Sequence, residues 1–78
     1  MANRFVEIYA KEMLVILTQA SGWISHADAT LRFKNRLFPR AVRTAGTVPL
    51  AEGALNYLVQ ADKIERRQVG KVRTYRVR

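Results

Sequence analysis

Residues 63–78 alternate apolar and charged side chains on either side of a Gly70-Lys71 pair, and this stretch constrains the fold most. Glycine takes positive φ without the steric cost that a Cβ brings, so Gly70 suits the first central position of a two-residue type II′ turn. A turn there sets Ile64 opposite Val77 and Glu65 opposite Arg76, an apolar pair and an opposite-charge pair. One face of the hairpin then carries Ile64, Tyr75 and Val77 at its base and Arg66, Gln68 and Arg73 toward its tip. A turn at Val69-Gly70 leaves those faces unchanged. The base is expected against a core, with the basic tip reaching past it.

Upstream, the spacing reads as helices. Phe5, Ile8, Tyr9, Met13, Ile16, Leu17 and Ala20 recur at helical intervals over residues 4–20, with Asn3 as N-cap and Gly22 as the left-handed residue that ends the helix. Trp23 and Ile24 read as buried residues of a brief strand that pairs with the hairpin. Ser25 and Asp28 have the spacing of a capping box and open a second helix, with Ala27, Leu31, Leu37 and Phe38 on its apolar face and Phe33 partly off it. Pro39 stops or kinks that helix. Residues 39–45 then read either as a long loop or as a further short helix leading to a tight turn at Ala45-Gly46-Thr47. A third long helix is expected over residues 48–61, with Thr47 as N-cap and Leu50, Ala51, Ala54, Leu55, Leu58 and Ala61 turned inward.

At 78 residues there is room for one domain, residues 1–78, with a small core. Charge is unevenly spread. Residues 1–39 carry five basic and three acidic side chains, a net of +2; residues 40–78 carry nine and three, a net of +6. A solubilising surface mixes both signs more evenly, so this bias points toward a polyanion. The longest apolar run, residues 13–17, is too short to cross a bilayer, and the start lacks a secretory pattern. A soluble, cytoplasmic protein without a membrane partner is expected.

The stretch Ala54-Leu55-Asn56-Tyr57-Leu58-Val59-Gln60-Ala61-Asp62-Lys63-Ile64-Glu65-Arg66-Arg67, followed by Val69-Gly70-Lys71 and Thr74-Tyr75-Arg76-Val77, resembles part of the winged helix-turn-helix superfamily. The likeness is to the recognition helix, basic strand, glycine turn and return strand of small bacterial, archaeal and phage regulators. It covers nearly the whole chain and picks out no single family within the superfamily. It implies an α+β fold, mainly α, of three or four helices followed by a C-terminal β-hairpin wing. The ten residues from Phe38 to Thr47 depart from the pattern, which joins its second and recognition helices by a short turn.

The resemblance implies sequence-specific binding of double-stranded DNA and a role in transcription regulation, with helix 48–61 in the major groove and hairpin 63–78 on the backbone or in the minor groove. Thr47, Asn56, Tyr57 and Gln60 would face DNA from the helix. Asn and Gln suit adenine, and Glu52 could accept from cytosine N4, although its charge is unfavourable beside phosphate. Arg66, Arg67, Lys71 and Arg73 would neutralise phosphates or enter the minor groove, and Arg40 and Arg43 would touch the backbone before the helix. A homodimer would form through the first helix, at Phe5, Ile8 and Tyr9. RNA binding, including a ribosome-associated role, and a protein-interaction adaptor are the alternative readings.

Catalysis is not expected. Ser25, His26 and Asp28 supply the residue types of a hydrolytic triad, but capping accounts for Ser25 and Asp28, and neighbours within one helical turn lack the relay geometry. His26 is the only histidine and there is no cysteine, so no metal site or cofactor is expected.

Overall fold

The hairpin turns at Gly70-Lys71. Gly70 has φ +61° whereas Lys71 stays out of the positive region, as a type II′ turn requires. The strands pair in the expected register, Ile64 with Val77, Glu65 with Arg76 and Arg66 with Tyr75. The computed structural model describes residues 4–41 and 46–78. In chain order these form α1 (Arg4–Ala20), β1 (Ile24–Ser25), α2 (His26–Leu37), α3 (Val48–Gln60), β2 (Ile64–Val69) and β3 (Val72–Val77). The fold is α+β and mainly helical, with an antiparallel three-stranded sheet in the order β1-β3-β2.

β1 pairs with β3 through Ile24–Tyr75 and Ser25–Thr74. Ser25 is at once the end of that strand and the N-cap of α2, its Oγ accepting from Asp28 N at 3.1 Å. The Asp28 carboxylate meets Arg32 one turn on, at 3.5 Å. At the other end of α2, Phe38 has φ −133° and ψ 60°, because the Pro39 ring disfavours helical backbone in the residue before it. Residues 38–41 close a turn, Ala41 N donating to Phe38 O at 3.0 Å, so no helix starts at Pro39. The remainder of the short helix considered for residues 39–45 lies outside the described residues, as does Asn3.

Side chains from α1, α2, α3 and the hairpin share one core, in which Met13, Leu17, Phe33, Leu55, Ile64 and Tyr75 are fully buried. Two helix faces differ from expectation. In α1 the inward residues are Ala10, Met13, Ile16 and Leu17, with Tyr9 packed beside them, whereas Phe5 is exposed and Ile8 is 51% exposed. Five positions at about 100° each put Ile8 about 140° around the helix from Met13, beyond any single face. In α2 the buried residues are Ala29, Thr30 and Phe33, whereas Ala27 is exposed and Leu31 is 47% exposed. Phe33 is therefore the centre of the face and packs edge-on against Tyr9, centroids 5.8 Å apart. Thr30 tolerates burial because its Oγ1 donates to His26 O at 2.8 Å.

Three terminal assignments also change. Ser21 joins Gly22 in taking positive φ after α1, at +54° and +142° respectively. Thr47 has helical angles (φ −94°, ψ −14°), so its side chain cannot fold back over the first turn and makes no capping bond. Its carbonyl instead accepts from Ala51 N at 2.9 Å. Trp23 is 39% exposed rather than core, with the Arg76 guanidinium 4.7 Å above its ring. α3 ends in a Schellman motif: Lys63 N donates to Leu58 O at 3.0 Å and Asp62 N to Val59 O at 3.1 Å. Asp62 occupies the left-handed position, φ +59°.

Three substitutions test these assignments by urea denaturation. Phe33→Ala destabilises the fold by about 3–5 kcal/mol, whereas Ile8→Ala changes stability by less than about 0.5 kcal/mol. Asp62→Gly raises stability by about 0.5 kcal/mol, since relief of about 1–2 kcal/mol of left-handed strain exceeds the about 0.5–1 kcal/mol of entropy that glycine loses on folding.

Candidate functional site

The exposed flank of α3 and the inner face of the hairpin tip form one continuous polar surface. α3 buries Ala51, Ala54, Leu55 and Leu58, which leaves Glu52 and Asn56, one turn apart, on the flank toward the hairpin. The pleat puts Arg66 and Arg73 on the hairpin face that also carries Ile64 and Tyr75. Arg66 Nη1 donates to Asn56 Oδ1 at 3.2 Å, and Arg73 Nη2 lies 3.7 Å from Glu52 Oε1. Two side-chain bridges thus join helix and hairpin. Gln68, opposite Arg73, donates from Nε2 to Gly70 O at 3.1 Å across the turn.

Of the residues singled out in the sequence, Asn56, Arg66 and Arg73 come together here, and Gln60 lies exposed at the end of the same helix. Arg67, on the opposite face of β2, and Lys71, in the turn, are exposed and make no ion pair among the described residues. Thr47 is 6% exposed and cannot present its hydroxyl to a ligand. Tyr57, 36% exposed, lines a groove of about 440 Å³ between α1 and α3 with Ala10, Leu14, Leu58 and Lys63. Arg40 is exposed in the turn after α2, in no ion pair among the described residues. Arg43 lies outside the described residues.

Charge is compensated on one strand and not on the other. Each arginine of the return strand and its end faces a carboxylate: Arg73 faces Glu52, Arg76 faces Glu65 at 3.1 Å and Arg78 faces Asp62 at 3.8 Å. All are partly exposed pairs, worth about 0–1 kcal/mol each. Lys63, Arg66, Arg67 and Lys71, on or next to β2 and in the turn, face no carboxylate among the described residues. The free positive charge is therefore concentrated on the outgoing strand and the tip.

Sequence reasoning missed the pairing of Glu52 with Arg73 and the role of His26. The i, i+4 spacing of Glu52 and Asn56 was the available signal for the first. His26 opens α2 with its Nδ1 3.0 Å from the Tyr75 hydroxyl, itself buried under the hairpin. Burial, and after it the Arg73 guanidinium, hold the His26 pKa below 6.5, with the Glu52 carboxylate pulling the other way. Ser25, His26 and Asp28 are each engaged separately, with Asp28 N, Tyr75 and Arg32. No group of three or more metal-ligating side chains occurs among the described residues, and none of their helices is long and apolar enough to cross a membrane.

The His26 environment sets a pH response. Above pH 6.5 the imidazole is neutral in folded and unfolded chains alike. Below it the unfolded chain takes up the proton first, so stability falls as pH drops from 6.5 to the lower folded-state pKa, then levels off. Urea midpoints measured from about pH 7.5 to about pH 5 fall more steeply in the wild type than in His26→Gln. Equal slopes would contradict this origin.

Compared with protein-family models, curated proteins and solved structures, the chain matches none of them.

Proposed function

We propose that the chain binds double-stranded DNA as a winged helix-turn-helix transcription regulator, with α3 in the major groove and the β2–β3 hairpin on the backbone or in the adjacent minor groove. The observation that carries this reading is Arg66, uncompensated by a carboxylate and bonded to Asn56 of α3, with Arg67 and Lys71 also uncompensated on the same hairpin. The helix–strand–helix–helix–hairpin order, with β1 paired to β3, agrees with the architecture that the sequence resemblance implies.

Dimensions support the same reading. The 13 residues of α3 span about 20 Å, and a major groove about 12 Å wide admits a helix. Asn56, half-buried, and Gln60, exposed, lie one turn apart and carry amides that can pair with adenine. Arg66, Arg67 and Lys71 supply phosphate contacts, which position the protein without reading sequence. Thr47 takes no part because it is buried.

Titration into fluorescent duplex DNA at several salt concentrations tests the assignment. The wild type binds with a steep salt dependence. Replacing Arg66, Arg67 and Lys71 by Ala flattens the slope of log K against log salt by about 1 for each phosphate contact removed. An unchanged slope in the folded triple variant refutes the hairpin as a phosphate clamp, and tighter binding to RNA hairpins than to duplex DNA shifts the reading to RNA.

A further inference from the structure

Glu52 is the only acidic residue of α3. It stands on the flank that faces the hairpin, its side chain 43% exposed, and its one ion pair among the described residues is with Arg73, at the long separation of 3.7 Å. One turn on, Asn56 holds Arg66 through a neutral acceptor. The two bridges are not equivalent. A phosphate that draws Arg66 away leaves behind an amide, which water or a base can satisfy. A phosphate that draws Arg73 away leaves behind a carboxylate at the edge of a polyanion.

That carboxylate then needs a new donor. In the major groove, guanine shows two acceptors to a protein, thymine an acceptor and a methyl group, and cytosine an amino donor at N4. Adenine sets its amino group beside the N7 acceptor, which suits an amide better than a carboxylate. Where no cytosine is in reach, either Glu52 keeps Arg73 and a phosphate contact is lost, or Glu52 lies unpaired beside phosphates. Both outcomes weaken binding to the wrong sequence, so the rejection comes from an unfavourable charge and not from a missing attraction.

We propose, resting on the DNA-binding reading above, that Glu52 is a specificity-determining residue: in the free protein its carboxylate holds Arg73, and duplex DNA frees Arg73 for a phosphate only where a cytosine amino group replaces it. Nothing is consumed in this exchange; one ion pair becomes a charge-assisted base contact and a phosphate contact.

The test compares the wild type with Glu52→Gln, Arg73→Ala and the double variant, each shown by circular dichroism to be folded. Each is titrated at several salt concentrations into random-sequence duplex and into a duplex selected by the wild type from a random pool. Glu52→Gln binds the random duplex about tenfold more tightly, with a salt slope steeper by about 1, and its preference for the selected duplex falls by a similar factor. Adding Arg73→Ala removes the gain in slope. The inference is overturned if Glu52→Gln leaves random-duplex affinity and slope unchanged while the wild type binds duplex, or if Arg73→Ala lowers the slope on random duplex equally with Glu52 or Gln at position 52. Failure of wild type and Glu52→Gln alike to bind any duplex overturns the DNA-binding reading, and this inference with it.

Discussion

The buried Tyr75 phenol is the junction on which the rest of the molecule depends. Its strand is central in the sheet, so Tyr75 is paired with Ile24 on one side and Arg66 on the other. Its ring is fully enclosed and its hydroxyl meets His26 at the first turn of α2. A buried hydroxyl without a partner costs about 1–3 kcal/mol, so the His26 contact lets so large a polar-tipped side chain fill the core. The ring anchors the base of the hairpin, and the next inward residue of the strand toward the tip is Arg73. The polar surface thus starts where the core stops, with Tyr75 between them.

The hairpin and the start of α2 were legible in the sequence because each carries its own local signal. Gly70 marks the turn, and the Ile64–Val77 and Glu65–Arg76 pairs go with its Gly70-Lys71 placement. Ser25 and Asp28 marked the start of α2 through a bond that three consecutive peptide units can make by themselves. The phases of α1 and α2 were harder to read. α1 holds more apolar residues than one face can accommodate, so counting them could not separate Met13 from Ile8. In α2, Thr30 is buried and Leu31 is not, a reversal that depends on the carbonyl of His26 and on the ring of Tyr9. Thr47 and Trp23 reversed expectation similarly: helical backbone removes the cap from the first, and Arg76 makes a partly exposed indole acceptable for the second.

The candidate site was legible as residue types but not as pairings. A basic hairpin beside a helix bearing Asn56 and Gln60 follows from the sequence alone. That Arg73 is held by Glu52 and Arg66 by Asn56 depends on how the helix lies against the sheet, which no spacing within either element encodes. The same is true of charge. Composition shows a surplus of +8, while the fold decides that the return strand is neutralised by Glu52, Glu65 and Asp62 and that the surplus remains on the outgoing strand and tip. Two strands with similar arginine content thus present different faces to a polyanion.

The double duty of Ser25 leaves no slack between sheet and helix. One residue ends β1 and caps α2, so sliding β1 along β3 by a single position would pull the cap from the helix and turn Ile24 out of the core. Strand register and helix start are therefore one event. A partly folded chain cannot keep one without the other, and errors of strand alignment are rejected by the helix rather than by the sheet. Strain applied at the hairpin tip is passed along β3 to the first turn of α2 through two paired residues and one hydroxyl.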